Sequence, residues 1–406
     1  GGAVGSNTFS LGHAGEVNTT ASEILINGQD STLFTGIASS AGSGSQGNAG
    51  TVRVNSDGLL SILNGGIIRS STFSLGHAGE VTISASEIMV NGQDSTFVTG
   101  ISSSAEPGSH GSTGSVTITA DESIELLNQG VISISSAVNA RLPDTIAGHE
   151  INITAPTITL SEHSYISAAS TGNIAASDIV VNSHNLSLSG ESLISTEANQ
   201  GHGGAITVNT NNVLLLQDSQ ITTSVHGLVG NGGDITMMAP VLVMQTGFIQ
   251  ANTEAANAAG GDINLAVDYL IPSSNTVLLG DNEPLPFLPG VAGYNVIQAA
   301  APDGVNGTIN NSAPALNITG VLVRLSEPNL NLDRIAQNPC APSEHKNTLK
   351  ALGRGAVTSL KKGQHQQTIE GLLNAPRLSD IQSMRAPLAI PIRQADCHNP
   401  MPSIFP

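Results

Sequence analysis

The chain repeats one pattern of alternating apolar and polar residues, and residues 232–251 show it most clearly. Two glycines open this stretch, and its three alternating runs begin at Ile235, Val241 and Ile249. Alternation with a period of two predicts a β-strand with one buried face and one exposed face. Three such strands separated by corners describe one rung of a three-sided parallel β-helix, which buries its apolar face only when rungs stack.

The same pattern recurs through the first 265 residues, with repeats 27 to 35 residues apart. Each rung begins with an inward Val or Ile, at Val17, Val52, Val81, Val116, Ile151, Ile179, Ile206, Ile235 and Ile263. A second strand follows with the inward pairs Ile24-x-Ile26, Leu60-x-Ile62, Ile88-x-Val90, Ile124-x-Leu126, Ile158-x-Leu160, Leu186-x-Leu188, Val213-x-Leu215 and Val241-x-Val243. In six rungs a third strand begins at Ile68, Ile132, Ile166, Ile194, Ile221 and Ile249. Length varies mainly in the Gly- and Ser-rich connection to the next rung, as expected for stacked rungs with one tolerant corner.

A longer repeat lies over the first. The segment TFSLGHAGEV at residues 8–17 returns at residues 72–81, and ASEILINGQDST at residues 21–32 returns as ASEIMVNGQDST at residues 85–96. Both copies are two rungs apart, which indicates duplication of a rung pair. No apolar period of 3.6 residues accompanies these repeats, so the pattern excludes amphipathic helices as the main element.

Composition and charge support one acidic solenoid with a basic tail. Only 2% of the 406 residues are aromatic, which suits a core of stacked Ile, Leu and Val columns, because such a core needs few aromatic rings. The net charge is −18. Residues 1–320 contain 25 acidic residues against the cations Arg53, Arg69 and Arg141, a net charge of −22, whereas the remaining residues have a net charge of +4. A Lys-free, acidic solenoid lacks the phosphate contacts that nucleic acids require, and anionic lipid surfaces repel it.

We therefore predict an all-β fold with two regions. Residues 1–325 are expected to form the parallel β-helix of roughly nine to eleven rungs, interrupted near residues 268–294 by a Pro- and aromatic-containing insertion. We expect this insertion to lie against the stack as a lid over its side or end. Residues 326–406 read as an irregular, basic, Pro-containing cap or tail that protects unpaired strand edges. The sequence begins part-way through a rung, so we also expect it to be a piece of a longer protein.

Acidic residues recur at the corner before the first strand of each rung. The column there reads Glu16, Thr51, Glu80, Ser115, Glu150, Asp178, Ala205, Asp234 and Asp262. Adjacent rungs are about 4.8 Å apart, so Glu150 would lie beside Asp178, and Asp234 beside Asp262. Calcium could bridge such carboxylates, but a solvated corner explains them equally and the Gly-Asp nonapeptide pattern of calcium-binding rolls is missing. We expect no cofactor, with calcium as the alternative.

Histidines and Asn-Gly turns also fall at corners. The histidines of the Gly-rich corner are His13, His77, His110, His149 and His202. His13 and His77 would be roughly 10 Å apart, too far to share a metal ion, so we interpret these histidines as surface turn residues. The Asn-Gly-Gln-Asp turns at residues 27–30 and 91–94 could stack Asn side chains into ladders.

The two cysteines, Cys340 and Cys397, both lie in the tail. A long Cys-free region followed by one pair is typical of a single disulfide in an exported protein, with two free thiols as the alternative. No catalytic residue is predicted. Polysaccharide-cleaving β-helices use acidic groups together with basic and aromatic residues, whereas the outward strand positions here are mostly Ser, Thr and Asn. We expect no enzyme.

The run NVIQAAAPDGVNGTINNSAPALNITGVLVRL at residues 295–325, and NPCAPSEHKNTLKALGRG after it, resemble the C-terminal part of filamentous-haemagglutinin-like exoproteins of the two-partner secretion system. The rung pattern GGDI-T-x-x-AP-x-L-x-L resembles that family too. The resemblance implies a right-handed β-helix, export by a dedicated outer-membrane β-barrel transporter of a Gram-negative-type bacterium, and a role as adhesin or surface fibre. The family's N-terminal secretion domain is missing, and about 50 residues follow the Gly353-Arg354-Gly355 motif without a counterpart.

The sequence thus predicts a secreted or cell-surface structural and adhesive protein. Its expected partners are the transporter, a receptor on a host cell, matrix or glycan, and further copies of itself in filaments. Nucleic acid is not an expected partner. Two alternatives remain: a carbohydrate-active β-helix enzyme, and the stalk of a contact-dependent toxin.

Overall fold

The computed structural model describes residues 1–93, 95–138, 149–280 and 282–313. These residues form parallel β-strands and their connections, with one short 3-10 turn at Ser273–Asn275. In chain order the strands are β1 (Ala3–Thr8), β2 (Val17–Ala21), β3 (Ile24–Asn27), β4 (Thr35–Ala41), β5 (Val52–Ser56), β6 (Leu59–Leu63), β7 (Gly66–Thr72), β8 (Val81–Asn91), β9 (Thr99–Ala105), β10 (Val116–Leu127), β11 (Gly130–Ser136), β12 (Glu150–Leu160), β13 (Tyr165–Ser167), β14 (Asp178–Leu188), β15 (Leu193–Ser195), β16 (Ile206–Thr222), β17 (Ile235–Gln250), β18 (Ile263–Pro272), β19 (Leu278–Leu279), β20 (Val296–Gln298) and β21 (Ile309–Asn311).

The strands stack in three parallel ladders, which confirms the predicted β-solenoid. In the first ladder the predicted inward column is in register from rung to rung and continues to Ile309. Eight consecutive rungs lie between Val17 and Gln250, and β18 with β20 forms a ninth around the insertion. The inward Val and Ile residues of this column from Val52 to Ile263 are fully buried, so each rung completes the core of its neighbours.

In the second ladder, two of the predicted inward pairs are wrong. Val213-x-Leu215 and Val241-x-Val243 are wrong by one residue, because the buried side chains are Leu214, Leu216, Leu242 and Met244. The pairing of β14 with β16 shifts at the corner, where β16 contains one extra residue between Thr210 and Val213. Four consecutive apolar residues follow there, so alternation offered no signal. The column that contains Leu160 and Leu188 therefore continues through Leu216 rather than Leu215.

The third ladder contains one uninterrupted column of isoleucine. The six predicted residues are confirmed as buried. The structure adds three that the sequence prediction missed, so that the column reads Ile37, Ile68, Ile101, Ile132, Ile166, Ile194, Ile221, Ile249 and Ile297. A β-branched residue stacked on its own kind suits this flat, buried surface.

The corner between the third and first ladders needs glycine and a buried hydroxyl. A Cβ atom on Gly79 would clash with the carbonyl oxygen of Gly50 one rung below, so only glycine permits this approach. Inside the corner, the Ser70 hydroxyl donates to the Gly50 carbonyl at 3.1 Å and accepts from the Gly79 N–H at 2.7 Å. The buried backbone groups are thereby paired, as buried polar groups require.

The insertion lies against the stack, as predicted, but it begins later than predicted. Strand β18 continues to Pro272, so the interruption starts at Ser273 rather than at residue 268. The ring of Phe248, outward and fully buried, lies 5.0 Å from the Phe287 ring and 5.3 Å from the Tyr294 ring in edge-on contacts. The insertion thus covers the side of the stack, while β19 pairs with β20 and extends the third ladder by one strand. The predicted tail, with Cys340 and Cys397, lies outside the described residues.

Candidate functional site

The acidic column connects consecutive rungs by hydrogen bonds. Glu150 and Asp178 are register partners, as predicted. Asp178 Oδ1 accepts the Ala205 N–H at 2.7 Å, and Asp234 Oδ1 accepts the Asp262 N–H at 2.8 Å. Asp262 Oδ1 accepts both the N–H and the hydroxyl of Thr308, and these hydrogen bonds to the carboxylate lower the pKa of Asp262. Each of the three aspartates therefore serves as acceptor for the rung that follows.

Calcium binding by this column stays the alternative to the predicted solvated corner. Within the described residues, no three His, Cys, Asp or Glu side chains are grouped so that they could hold one metal ion. The observed partners of the aspartates are backbone and hydroxyl donors, which account for the carboxylates at these corners without a cation.

The corner histidines form a second acceptor ladder, which we call the corner ladder. His13 Nδ1 accepts the Asn48 N–H at 2.9 Å, Asn48 Oδ1 accepts the His77 N–H at 3.0 Å, and His77 Nδ1 accepts the Ser112 N–H at 3.0 Å. His202 and Asn231 repeat the arrangement higher in the stack. A ring nitrogen accepts a hydrogen bond only when it is unprotonated, so the neutral histidine matches asparagine at this position.

The other two corner histidines have a different environment. His110 and His149 line, together with His77, a surface groove of about 640 Å³. Burial lowers the pKa of His149, and the nearby Glu80 carboxylate opposes that shift. The structure thus brings three of the five predicted corner histidines to one groove without placing them as a metal site.

The predicted Asn ladders are confirmed at the Asn-Gly turns. Asn64 Nδ2 donates to Asn27 Oδ1 at 3.3 Å, and Asn128 Nδ2 donates to Asn91 Oδ1 at 3.1 Å. Asn27 and Asn91 also accept the backbone N–H two residues ahead, which closes each turn. Their role in the described structure is local support of the turn.

Sequence reasoning missed a groove between the third ladder and the insertion, here called the insertion groove. Its volume is about 370 Å³. The outward residues Gln220, Thr222 and Ser224 belong to its floor, and residues 284–287 form one wall. Two stacked glutamines hold that wall: Gln250 Nε2 donates to the Leu285 carbonyl at 2.8 Å, and Gln298 Oε1 accepts the Leu285 N–H at 2.9 Å.

Three charged side chains from three consecutive rungs meet in this groove, and we call them the histidine clamp. His226 Nε2 lies 3.6 Å from Glu197 Oε1, and His226 Nδ1 lies 3.3 Å from Glu254 Oε1. Hydrogen bonding to Glu197 is the largest cause that raises the pKa of His226 to about 9, with burial acting in the opposite direction. The ring is therefore an imidazolium near neutral pH, bound by a carboxylate on each side.

The sequence contained a signal for the contact between His226 and Glu254, but not for the contact with Glu197. His226 and Glu254 each follow the inward isoleucine of their rung by five residues, and Glu197 follows its isoleucine, Ile194, by three. Aligning the outward positions rung by rung would have placed His226 beside Glu254, 28 residues away. The same alignment would have placed Glu197 beside Ser224, because Ala198 pairs with Val225.

The duplicated TFSLGH segment forms an exposed apolar surface, the Phe-Leu corner. Phe9 is 74% and Leu11 72% exposed, and their copies Phe73 and Leu75 are 39% and 54% exposed. The preceding residues Thr8 and Thr72 pair through Ala41, so the two copies lie two rungs apart on one corner. Large exposed apolar side chains grouped in this way mark interaction surfaces.

No protein-family model, no curated protein and no solved structure matches this chain. Among the described residues there is also no helix with the length and apolar character needed to cross a membrane.

Proposed function

We propose that this chain is a secreted or surface-exposed structural and adhesive β-helix protein, and that the Phe-Leu corner is its contact surface. The observation that carries the proposal is the exposure of Phe9, Leu11, Phe73 and Leu75 on one corner of a fully stacked solenoid. Rungs bury the inward residues of each strand, so apolar residues left outside serve contacts with other molecules. The resemblance to two-partner secretion exoproteins adds export by an outer-membrane transporter to this proposal.

Adhesion of protein-coated beads to cultured epithelial cells tests the proposal. Replacing Phe9→Ser together with Phe73→Ser should reduce bead adhesion several-fold without lowering the melting temperature, because both rings are outside the core. The matched control replaces Leu228→Ser and Val229→Ser, two exposed apolar residues of another corner. Equal adhesion by the two double variants, or no adhesion by the unchanged protein, would contradict the proposal.

A carbohydrate-active enzyme is the second candidate, and the carboxylates of the histidine clamp favour it. Glycoside hydrolysis uses two carboxyl groups, of which one must donate a proton. Here Glu197 and Glu254 lie on either side of one imidazolium in the insertion groove, so two carboxyl groups are present at one site. Release of reducing ends from oligosaccharides, lost in the Glu254→Gln variant, would establish this alternative.

A further inference from the structure

We propose that the insertion groove is a binding site for a neutral saccharide chain. Its volume of about 370 Å³ falls within the range of roughly 300–1,000 Å³ of small-ligand sites. One side offers polar groups of the third ladder, and the other offers the apolar wall of the insertion. Sugar rings present the same division, with hydroxyl groups around the ring edge and apolar C–H faces.

The polar side of the groove carries both donors and acceptors. The Thr222 and Ser224 hydroxyls lie 2.8 Å apart and hydrogen-bond to each other, and the Gln220 amide lies beside them on the floor. A carboxylate has about four acceptor positions, and the clamp contacts each carboxylate through its Oε1 atom. Glu197 and Glu254 thus retain acceptor capacity for ligand hydroxyl groups.

The apolar wall is held in place before any ligand arrives. The stacked Gln250 and Gln298 side chains bind the backbone of residue 285, and the Phe287 ring rests edge-on against Phe248. Because the wall is already fixed, a ligand that binds there loses little free energy to ordering the protein, which favours affinity. Pro284 and Pro286 complete it with rigid apolar rings.

Charge decides between saccharide classes. The clamp has two carboxylates and one imidazolium, and residues 1–320 have a net charge of −22. The described arginines, Arg53 and Arg69, do not line the groove. An acidic polysaccharide would meet a net negative charge, because the one imidazolium is already paired with two carboxylates, so the groove favours a neutral chain. This inference deepens the proposed adhesive function by naming a ligand class, but it concerns a surface separate from the Phe-Leu corner.

Titration calorimetry on the full chain tests the inference with defined probes. These are the neutral hexasaccharides of cellulose, xylan and starch, hexagalacturonate as an anion, and hexalysine as a cation. At least one neutral hexasaccharide should bind the unchanged protein. Gln220→Ala and Glu254→Gln should each weaken that binding at least tenfold, while Gln217→Ala, an exposed residue of the same strand outside the groove, should leave it unchanged.

Several results would overturn the inference. The first is that no neutral hexasaccharide binds. The second is that the Gln220→Ala variant binds the neutral probe with the same affinity as the unchanged protein. The third is that hexalysine or hexagalacturonate binds more tightly than every neutral hexasaccharide. Chromatography of the probes after incubation decides between binding and cleavage, since fragments that the Glu254→Gln variant fails to produce would replace the binding site with a catalytic one. Bead adhesion through the Phe-Leu corner is measured independently, so either proposal can fail without the other.

Discussion

At the residue scale, side chains at the corners of the solenoid accept hydrogen bonds from the backbone of the next rung. His77 and Asn48 occupy the same position one rung apart, and each accepts a backbone N–H at 3.0 Å. Aspartate does the same at the start of the first strand, as Asp234 shows with Asp262. These acceptors satisfy N–H groups at bends, where a regular strand ladder leaves donors without carbonyl partners.

The corner ladder predicts which substitutions His77 tolerates. His77→Asn should preserve stability, because Asn48 and Asn231 already act as acceptors in the same column. His77→Leu removes the acceptor for the Ser112 N–H and should lower the free energy of unfolding by about 1 kcal/mol. Urea titrations of both variants measure the difference, and equal stability of the two would mean that the hydrogen bond contributes nothing.

The histidine clamp predicts a stability that falls at alkaline pH. The pKa of His226 is raised from 6.5 to about 9 in the folded protein, so its contribution is fully present below pH 6.5 and is lost as pH rises through about 9. The melting temperature of the unchanged protein should therefore exceed that of a His226→Gln variant at pH 6, with the gap closing by pH 10. Because about half of the ring is exposed, the gap should also shrink in high salt. A gap that widens with pH would contradict the clamp.

At the element scale, strands are held by columns of one residue type, and register decides which side chains enter the core. Isoleucine occupies the third-ladder column throughout the rungs from Ile37 to Ile297. A one-residue shift exchanges the buried face for the exposed face. The extra residue of β16 therefore moves Leu216 inward and Leu215 outward.

This register predicts unequal effects of the same substitution at neighbouring positions. Leu216→Asp buries an unpaired carboxyl group in the core and should lower the free energy of unfolding by several kcal/mol. Leu215→Asp changes a half-buried outward residue and should cost much less. Thermal melts of the two variants compare them directly, and a larger loss for Leu215→Asp would restore the register that alternation alone predicts.

At the scale of the whole molecule, much of the stack could be predicted because rungs repeat. The periodic Val and Ile residues predicted the first ladder, and the Asn-Gly turns predicted the Asn ladders. Prediction failed where the periodic signal stopped, as in the four apolar residues at 213–216. It also failed for the insertion groove, because the contacts of Phe248 and His226 arise between rungs or with an irregular segment that has no period.

Charge is also organised at this scale. The described arginines both lie in the second rung, where Arg53 forms an ion pair with Glu16 and the Arg69 guanidinium lies 5.1 Å from the centre of the Phe34 ring. The acidic side chains are spread along the remaining rungs, so the stack presents a negative surface. The adhesion that we propose through the exposed Phe and Leu side chains is therefore expected to be with partners that are not anionic.

The central claim is that the rungs form one parallel stack in the register described, and cysteine cross-linking tests it most directly. In a chain with Cys340→Ser and Cys397→Ser, the register partners Thr159 and Ser187 are replaced as Thr159→Cys and Ser187→Cys. Partner residues about 4.8 Å apart are within the Cα separation of about 4.4–6.8 Å that a disulfide spans. Mild oxidation should link this pair, and should leave the offset pair Thr159→Cys with Asn185→Cys unlinked. Efficient linking of the offset pair in place of the register pair would contradict the stack.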